Sequence, residues 1–586
     1  MRYGGVIAAL LLFAALPAAA QDFGGVAPRQ PAAPAGAAAP QPPAAAAAPA
    51  PAQNVELVAH LKGLTLEPSL ARIVQGGAPT PGLVIDVPFA DDPDLRDILA
   101  TFIGRPLWSA DLPRISKIVT DFYRAHNRPV VSVSFPEQDI STGVVQAVVG
   151  ESRTGRIKFK GNYYFGKGLL ASELDLHRGD PIDFGVLSAG LNVLNRNPFR
   201  TVNVVLQKSS APGTTDLAFT VDERFPLRLY AAFDNTGVAI TGRDRYSAGF
   251  NWGNVLDLDQ QLSYQFITSP DLWRRRDRGA GLSDAPRFTG HSASYTAPLP
   301  WGDLLNLFGS YVTQVPDLGP DFGQTGHSFQ LGLRYQMPLW GSARFTQQLQ
   351  FGFDHKRADN NLAFGGTAIF ASATDTDQFA LIYDGTLDDT LGQTGVENTL
   401  VYSPGDFSHG NSTAVFQASG VTGAHANYVY DNLRLTRLLF LPLHFSLMTR
   451  LDGQLASTEL LPGEQIGAGG IDSVRGYEER SASGSDGYLA SVELHGPTIA
   501  PLHDLGLRAI DRLQPLVFWD YGHVSFKNAQ ASGPKAAGLQ SAGVGVRYTI
   551  GRYLDVRFDY GWQLEKVPVA GAVLGNLATV SVTFGT

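Results

Sequence analysis

From Pro226 to the C-terminus, apolar and polar residues alternate in segments of about ten residues. In "RYSAGFNW", one side of the predicted strand carries Tyr246, Ala248, Phe250 and Trp252. The stretches "LSYQF" and "YLDVRFDYGW" alternate in the same way. Successive side chains of a strand point to opposite faces. An apolar face toward lipid and a polar face toward a lumen are typical of transmembrane β-barrel strands.

Sixteen such segments occur, starting near residues 226, 243, 259, 288, 303, 326, 344, 376, 394, 425, 443, 487, 513, 539, 553 and 577. An even number suits an antiparallel barrel whose two chain ends lie on the same side. A barrel of this size is wide enough to hold an aqueous lumen. A soluble β-sandwich is the alternative, but it would not need charged residues on one face and bare apolar residues on the other. Residues 226–586 are therefore predicted to form a sixteen-stranded transmembrane barrel.

Residues 54–223 instead show helical periodicity between short apolar strands. Two α+β units follow each other, residues 54–151 and 152–223, each with the order β-α-α-β-β. The predicted helices are Asp92–Ile103, Ser109–His126, Gly166–Leu176 and Asp183–Asn195. The predicted strands are Leu83–Val87, Pro129–Phe135, Gly143–Gly150, Arg156–Lys160, Thr201–Gln207 and Asp216–Asp222. A repeat of this kind indicates tandem binding modules rather than one active site.

Residues 1–20, "MRYGGVIAALLLFAALPAAA", have the basic start, apolar centre and A-x-A end of a secretory signal peptide. Residues 21–53 are rich in Ala and Pro and are predicted to be an extended linker, because prolines block a continuous helix. We expect no chemistry of its own from this linker. No later run of 18 apolar residues occurs, so we expect no transmembrane helix in the mature chain.

Composition and motifs argue against several functions. The net charge of −9 over 586 residues is unlike the basic surface of a nucleic-acid-binding protein. The chain has no cysteine, which excludes disulfides and cysteine catalysis. It contains no G-x-S-x-G, no H-E-x-x-H and no phosphate-binding glycine motif. We therefore expect neither an enzyme nor a bound cofactor or metal.

One long gap between predicted strands, from about Ser457 to Gly487, contains the unit "VRGY". Its residues are Val474, Arg475, Gly476 and Tyr477. Long loops often carry function. The simpler interpretation is that Arg475 is an isolated arginine in a surface loop. Whether Arg475 has a partner elsewhere in the chain decides between a functional and an incidental arginine.

The candidate partner lies in "VFWDYG", residues 517–522. Alternation places Asp520 on the same face as Phe518 and Gly522. An acid in mid-strand cannot face lipid cheaply, so this face is predicted to point into the lumen. Gly522 leaves room for a close approach. If the loop folds back into the lumen, Arg475 and Asp520 can form a bidentate pair.

These motifs resemble those of the outer-membrane transporters of two-partner secretion, the haemolysin secretion/activation (TpsB) family, which shares a superfamily with the bacterial barrel-assembly insertase. "VRGY" is similar to the conserved sixth-loop motif of that superfamily, and Phe518, Asp520 and Gly522 are similar to its F-x-D-x-G strand motif. The stretches "VSVSFPEQDISTGVVQAVVGE" and "LNRNPFRTV" to "TTDLAFTVDE" resemble the ends of its first and second polypeptide-transport-associated (POTRA) domains. "YAAFDNTG" resembles its first barrel strand.

The resemblance implies an outer-membrane protein that exports an unfolded, TpsA-like exoprotein through its barrel, with the POTRA domains in the periplasm recognising that cargo. It implies that Arg475 and Asp520 meet inside the barrel and latch the loop to the wall. The implied partners are the exoprotein and outer-membrane lipid, with no nucleic acid, and we expect a monomer. A barrel-assembly factor, a passive porin and a barrel-anchored adhesin remain as alternatives.

The N-terminus departs from the family pattern. The family usually carries an N-terminal helix that plugs the pore, but here only residues 21–26 precede the linker, without an amphipathic helix. Either an alanine-rich part of the linker takes this place, or the pore has no plug.

Overall fold

A computed structural model describes residues 23–31, 54–273, 285–318, 322–339, 341–342, 344–364, 367–507, 510–528, 534–567 and 573–586. The predicted signal peptide and most of the predicted linker lie outside the described residues. The described chain falls into two compact units. One contains residues 54–224, and the other contains residues 23–31, called here the N-terminal segment, together with residues 225–586.

The N-terminal segment begins with a four-residue helix, α1 (Phe23–Val26). Its residues belong to the same unit as the barrel. The expectation that residues 21–53 act only as a linker is therefore wrong for this part, because its residues bind barrel side chains over 200 positions away in sequence.

The first α+β domain has a four-stranded sheet in the order β3-β2-β6-β5, with a small β1-β4 pair beside it. Its strands are β1 (Glu56–Val58), β2 (Gly63–Glu67), β3 (Gly82–Ile85), β4 (Leu107–Trp108), β5 (Val131–Ser134) and β6 (Val144–Glu151), and its helices are α2 (Pro93–Ala100) and α3 (Asp111–Ala125). Asp92 caps α2 by accepting a hydrogen bond from the amide of Asp94. A short 3-10 turn, Leu70–Arg72, follows β2.

The second α+β domain has a three-stranded sheet in the order β7-β9-β8, with β7 parallel to β9. Its elements are β7 (Arg153–Lys160), α4 (Lys167–Ser172), α5 (Phe184–Leu194), β8 (Arg200–Lys208) and β9 (Thr214–Glu223). Asp183 caps α5 through the amides of Gly185 and Val186, as its place in the sequence suggested. In both domains, aliphatic and aromatic side chains fill the space between helices and sheet.

Residues 227–585 form a closed antiparallel barrel of sixteen strands, which confirms the predicted fold class. The strands are β10 (Leu227–Asp234), β11 (Arg245–Val255), β12 (Gln260–Thr268), β13 (Phe288–Pro298), β14 (Leu304–Gln314), β15 (Phe322–Pro338), β16 (Phe345–Phe364), β17 (Thr367–Asp389), β18 (Gly392–Pro404), β19 (Asn427–Phe440), β20 (Ser446–Ala456), β23 (Asp486–His495), β24 (Asp511–Ser525), β25 (Ala536–Ile550), β26 (Leu554–Gln563) and β27 (Asn576–Gly585). The hairpin between β20 and β23 consists of β21 (Ile466–Ala468) and β22 (Ala482–Gly484), outside the barrel sheet.

Shorter helices lie in the connections: α6 (Thr413–Ala418), α7 (Pro501–Asp504) and the 3-10 turns Ala239–Thr241, Pro270–Leu272 and Pro442–His444. Among the residues that the structure describes, no helix combines the length and apolar character needed to cross a bilayer. Strands β15, β16 and β17 have 17, 20 and 23 residues, longer than the ten-residue segments in the sequence pattern.

The two faces of each barrel strand differ as predicted. On β24, Val517 and Trp519 are 50% and 39% exposed, whereas Phe518 and Asp520 are buried. The outward face is apolar around the barrel, with Leu307, Tyr311, Leu331, Leu333, Phe351, Phe379, Leu381, Leu400, Tyr402 and Val544 among its exposed residues. The inward face carries the polar residues, so the lumen is lined by hydrogen-bonding groups.

The barrel closes where the first strand, β10, meets the last, β27. Five residue pairs join them, from Tyr230 and Gly585 to Asp234 and Ser581. Every other neighbouring pair of barrel strands in the described chain is joined by at least eight. This closing seam therefore has the fewest ladder hydrogen bonds.

Candidate functional site

The connection from β20 to β23, residues 457–485 and called here the long loop, folds into the lumen rather than away from the barrel. Its β21-β22 hairpin carries a turn that contains "VRGY". Val474, Arg475 and Tyr477 are 0%, 3% and 1% exposed. An arginine in a surface loop would be solvated, so the simpler interpretation of Arg475 does not hold.

Arg475 and Asp520 are brought together by this fold. The Nε and Nη2 groups of Arg475 donate to Oδ2 and Oδ1 of Asp520, each at 2.8 Å. The backbone amide of Arg475 also donates to Oδ2, at 3.1 Å. Two parallel side-chain bonds fix the orientation of a guanidinium as well as its position. The third bond fixes the loop backbone itself.

Three further wall residues contact Arg475 directly beside Asp520. Its Nη2 donates to the hydroxyl of Ser491 at 3.2 Å, and Nη1 lies 2.6 Å from a carboxylate oxygen of Glu493. The guanidinium carbon sits 3.6 Å from the centre of the Phe518 ring, a cation–π contact. The ring of Phe518 therefore packs against the flat face of the Arg475 guanidinium, while the carboxylates of Asp520 and Glu493 bind its edges.

Two glycines let the loop come this close to the wall. Gly476 has φ +90°, and a Cβ there would lie 3.0 Å from the carbonyl of Gly561 on β26. Positive φ and a backbone-to-backbone contact both favour glycine. On β24, a Cβ at Gly522 would lie 2.9 Å from Val474. Each glycine of the two motifs thus has a steric reason to be glycine.

The apolar residues of the loop motif pack against the same wall. Val474 and Tyr477 join a buried cluster with Ala468, Ala482, Leu489, Val524 and Leu539. The hydroxyl of Tyr477 donates to the carbonyl of Gln540 at 2.8 Å. All seven residues of the two motifs are therefore in one contact region, and the structure places them on the loop and on β24 as the sequence indicated.

Asp559 on β26 extends the charged network. Its carboxylate lies 3.6 Å from Nη1 of Arg475 and 2.9 Å from Arg547 and from Arg557. Arg557 in turn binds Asp472 of the long loop at 2.6 Å. Three guanidinium groups thus share the carboxylates of Asp520, Glu493, Asp559 and Asp472. These ion pairs offset the cost of burying Arg475, Asp520 and Asp559.

Two further anchors hold the long loop elsewhere. Glu464 is bound by Lys356 at 2.8 Å, Tyr430 at 2.8 Å and Gln378 at 3.0 Å, which belong to β16, β19 and β17. Glu478 binds Arg243, in the turn between β10 and β11, at 2.9 Å. The loop is therefore pinned at widely separated strands and crosses the lumen between them.

The sequence prediction missed the partners Ser491, Glu493 and Asp559 and the anchor Glu464. The alternation in "YLASVELH" and "DVRFDYGW" already places Ser491, Glu493 and Asp559 on polar faces. Their neighbourhood depends on the register of β23 and β26 against β24, which the pattern of a single strand does not give. Glu464 had no signal beyond its position in the long loop.

The chemistry of this site is that of attachment. The described residues around Arg475 supply ion pairs, hydrogen bonds and ring contacts, all reversible. Within the described ranges, no three His, Cys, Asp or Glu side chains are placed to hold a metal ion. The arrangement holds the loop in the lumen through non-covalent contacts.

Two family models match the chain. The model of haemolysin secretion/activation protein ShlB/FhaC/HecB matches residues 213–548, and that of the ShlB-type POTRA domain matches residues 86–152. The first match covers more than half of the chain and includes both motifs of the site.

Related proteins and structures agree with these matches. The chain is 24% identical over 480 residues to the heme/hemopexin transporter protein HuxB of Haemophilus influenzae (strain 86-028NP), covering 78% of each chain. It is 22% identical over 437 residues to the outer membrane transporter CdiB-2 of Burkholderia pseudomallei, covering 73% of this chain and 70% of the relative. The structure of CdiB from Escherichia coli superposes with a TM-score of 0.72 at 16% identity, over 93% of this chain and 92% of CdiB. That likeness extends the shared fold over nearly the whole chain.

Proposed function

We propose a transport mechanism for this chain, which belongs to the haemolysin secretion/activation protein family ShlB/FhaC/HecB. The chain acts as an outer-membrane transporter of two-partner secretion. An unfolded partner exoprotein binds the two periplasmic α+β domains, enters the barrel, and crosses the lumen in extended form. This mechanism is supported by one observation: the same chain contains a ShlB-type POTRA domain and a closed sixteen-stranded barrel. We assign the boundaries of the two domains as 54–151 and 152–223.

The second α+β domain offers a groove for the exoprotein. Strand β7 is an edge strand of the β7-β9-β8 sheet. Beside it, α4 and the following residues enclose a groove of about 610 Å³, lined by Ile157, Phe159, Ala171, Leu174 and Leu176 and by the lysines 158, 160 and 167. An extended segment can add to such an edge through main-chain hydrogen bonds, with pockets for alternate side chains. This mode suits an exoprotein that arrives unfolded.

The long loop lies in the lumen and has to move before an exported chain can pass. It crosses the lumen between its anchors, so an exported chain passes only if the loop shifts at one or more of them. We infer that Arg475 and Asp520 act as a latch that holds the resting position of the loop. Transport, rather than catalysis, fits a site made only of reversible attachments.

The apolar outer face supports direct contact of the barrel with outer-membrane lipid, with polar groups confined to the lumen. Because the barrel is closed without a second chain, we propose that the transporter works as a monomer.

The first experiment compares cells with and without the gene and quantifies proteins in the medium, on the surface and in the outer membrane. Loss of one large exoprotein, with other barrels unchanged, is the expected result. Depletion of many outer-membrane barrels would indicate an assembly factor instead. No change in exported proteins would favour a passive pore or an adhesin.

A second experiment tests the groove. Ala171→Trp fills the groove beside β7, whereas Val205→Trp places the same side chain on β8, the other edge of that sheet. We expect Ala171→Trp to reduce secretion by about tenfold or more and Val205→Trp to leave it near wild type. Equal secretion from both variants would remove the groove from the mechanism.

A further inference from the structure

The N-terminal segment binds the inner wall of the barrel. Val26 is 1% exposed and packs against Ile267, Phe288 and Val312 of β12, β13 and β14. On β10, Tyr230 and Asp234 are buried while Leu229 is 55% exposed, so the residues that hold the segment belong to the lumen face. The segment therefore lies in the space through which an exported chain has to pass.

Most contacts of the segment are made to its main chain. Wall side chains bind four of its backbone groups: the carbonyls of Val26 and Ala27 accept from Gln265 at 3.1 and 3.2 Å, the amide of Arg29 donates to Tyr230 at 3.0 Å, and the carbonyl of Arg29 accepts from Arg228 at 3.2 Å. The carbonyl of Val26 also accepts from Ser292. Side chains that recognise backbone groups do not select a sequence. They would hold any extended chain placed along this wall.

The side chain of Arg29 supplies the selective contact. Its Nη2 lies 2.7 Å from Oδ2 of Asp234 on β10. Its Nη1 donates to the hydroxyls of Ser581 and Thr583 on β27, at 2.9 and 2.8 Å. The carboxylate of Asp234 is 8% exposed, and the guanidinium remains 28% exposed. The wall thus contains a cation site made from both strands of the closing seam.

We propose that this wall is a binding subsite for an extended polypeptide that carries a basic residue. In the resting protein, residues 26–29 occupy it. During export, a basic segment of the exoprotein takes their place, with its cation at Asp234 and its main chain along Gln265 and Tyr230. The proposal rests on the transport function proposed above. It makes release of the N-terminal segment a direct consequence of cargo entry, since both compete for the same groups.

The first test is a competition in planar bilayers with the full barrel and both α+β domains, in a variant that lacks residues 23–31. The probes are the peptide FGGVAPRQP, which copies these residues, and the forms FGGVAPAQP and FGGVAPRAP. We expect FGGVAPRQP to lower the conductance and FGGVAPAQP to require at least about tenfold more peptide, because one charge-assisted contact is lost. FGGVAPRAP is the matched control, since Gln30 is exposed and its side chain donates to the carbonyl of Pro28 within the segment. Equal potency of all three peptides, or no block by any, would overturn the subsite.

The second test follows the exoprotein itself. Ala232 points into the lumen beside Thr583 and makes none of the contacts above, and the chain has no native cysteine, so Ala232→Cys gives one thiol at the subsite. With cargo stalled during export, we expect crosslinks to concentrate near its Arg and Lys residues and to increase in an Arg29→Ala background. Crosslinks spread evenly along an exported cargo would contradict the subsite while leaving transport intact. Absence of any exported cargo in the parent protein would instead contradict the proposed function.

Discussion

The guanidinium of Arg475 and the carboxylate of Asp520 form two hydrogen bonds of 2.8 Å, and neither side chain is more than 3% exposed. The partners lie 45 positions apart, one on a loop and one in the barrel wall. At this point of the long loop, docking is held by a desolvated pair supported by Glu493 and Asp559.

Replacing Asp520 with Asn keeps the shape of the side chain and removes its charge. We expect the docked loop to lose about 3 kcal/mol, less where lumen water screens the remaining charges. Hydrogen exchange of residues 469–481 should speed up, and secretion should fall while the barrel stays inserted. Asp555→Asn, an exposed acid on β26, is the control and should change neither. Loss of the barrel itself in D520N would show that the pair serves assembly rather than transport.

Gly476→Ala should displace the loop without changing any charge. The new Cβ would lie 3.0 Å from the Gly561 carbonyl, in a backbone conformation with φ +90°. Strain of this kind costs on the order of 1–3 kcal/mol. Gly453→Ala on β20 has no heavy atom within 4 Å of its new Cβ and serves as the control. The conductance of the two variants is compared in planar bilayers, and we expect it to differ because only Gly476→Ala displaces the loop. Identical conductance would contradict a tight approach at Gly476.

Glu464 and Lys356 should be energetically coupled. Glu464→Gln leaves the ammonium of Lys356 without its carboxylate, and Lys356→Met leaves the carboxylate without its cation. The double variant removes both charges, so its loss should be smaller than the sum of the single losses by about 1–2 kcal/mol. Hydrogen exchange of residues 461–468 is measured in the wild type, the two single variants and the double variant, and the four values give a double-mutant cycle. Strict additivity would mean that the pair does not anchor the loop.

The second α+β domain should lose stability in acid through Asp216. Its carboxylate accepts from the backbone amide of Arg156 and binds the side chains of Arg156 and Lys158, which hold the pKa of Asp216 below its ordinary value. A lowered folded-state pKa gives stability that is complete above the ordinary value of 3.8 and is lost as the pH falls toward the folded-state pKa. Hydrogen exchange of residues 153–223 in the full chain, measured from pH 6 to pH 3, should show this loss in the wild type. In Asp216→Asn it should be weaker, and an unchanged acid response would contradict the assignment.

The direction in which a side chain points could be predicted from the residue pattern of a single strand. Contacts between side chains on different strands could not, because they depend on how the strands pair. The inward direction of Asp520 follows from alternation alone. The proximity of Glu493 and Asp559 to Arg475 requires the register of three strands, which no local pattern contains. Strand β2 was absent from the prediction because it is short and bounded by Gly63 and Pro68, yet it lies inside the sheet of the first domain. The N-terminal segment was taken as linker because its prolines suit one, while its binding to the wall is decided by Val26 and Arg29.

The cation site for Arg29 also bears on the order in which the protein is built. Asp234 belongs to the first barrel strand, and Ser581 and Thr583 belong to the last. The site is complete only when the final strand has paired with the first. The segment can contact β10 and β12–β14 before closure, but the complete set of Arg29 contacts forms only when the barrel has closed, so full binding of Arg29 reports a closed barrel.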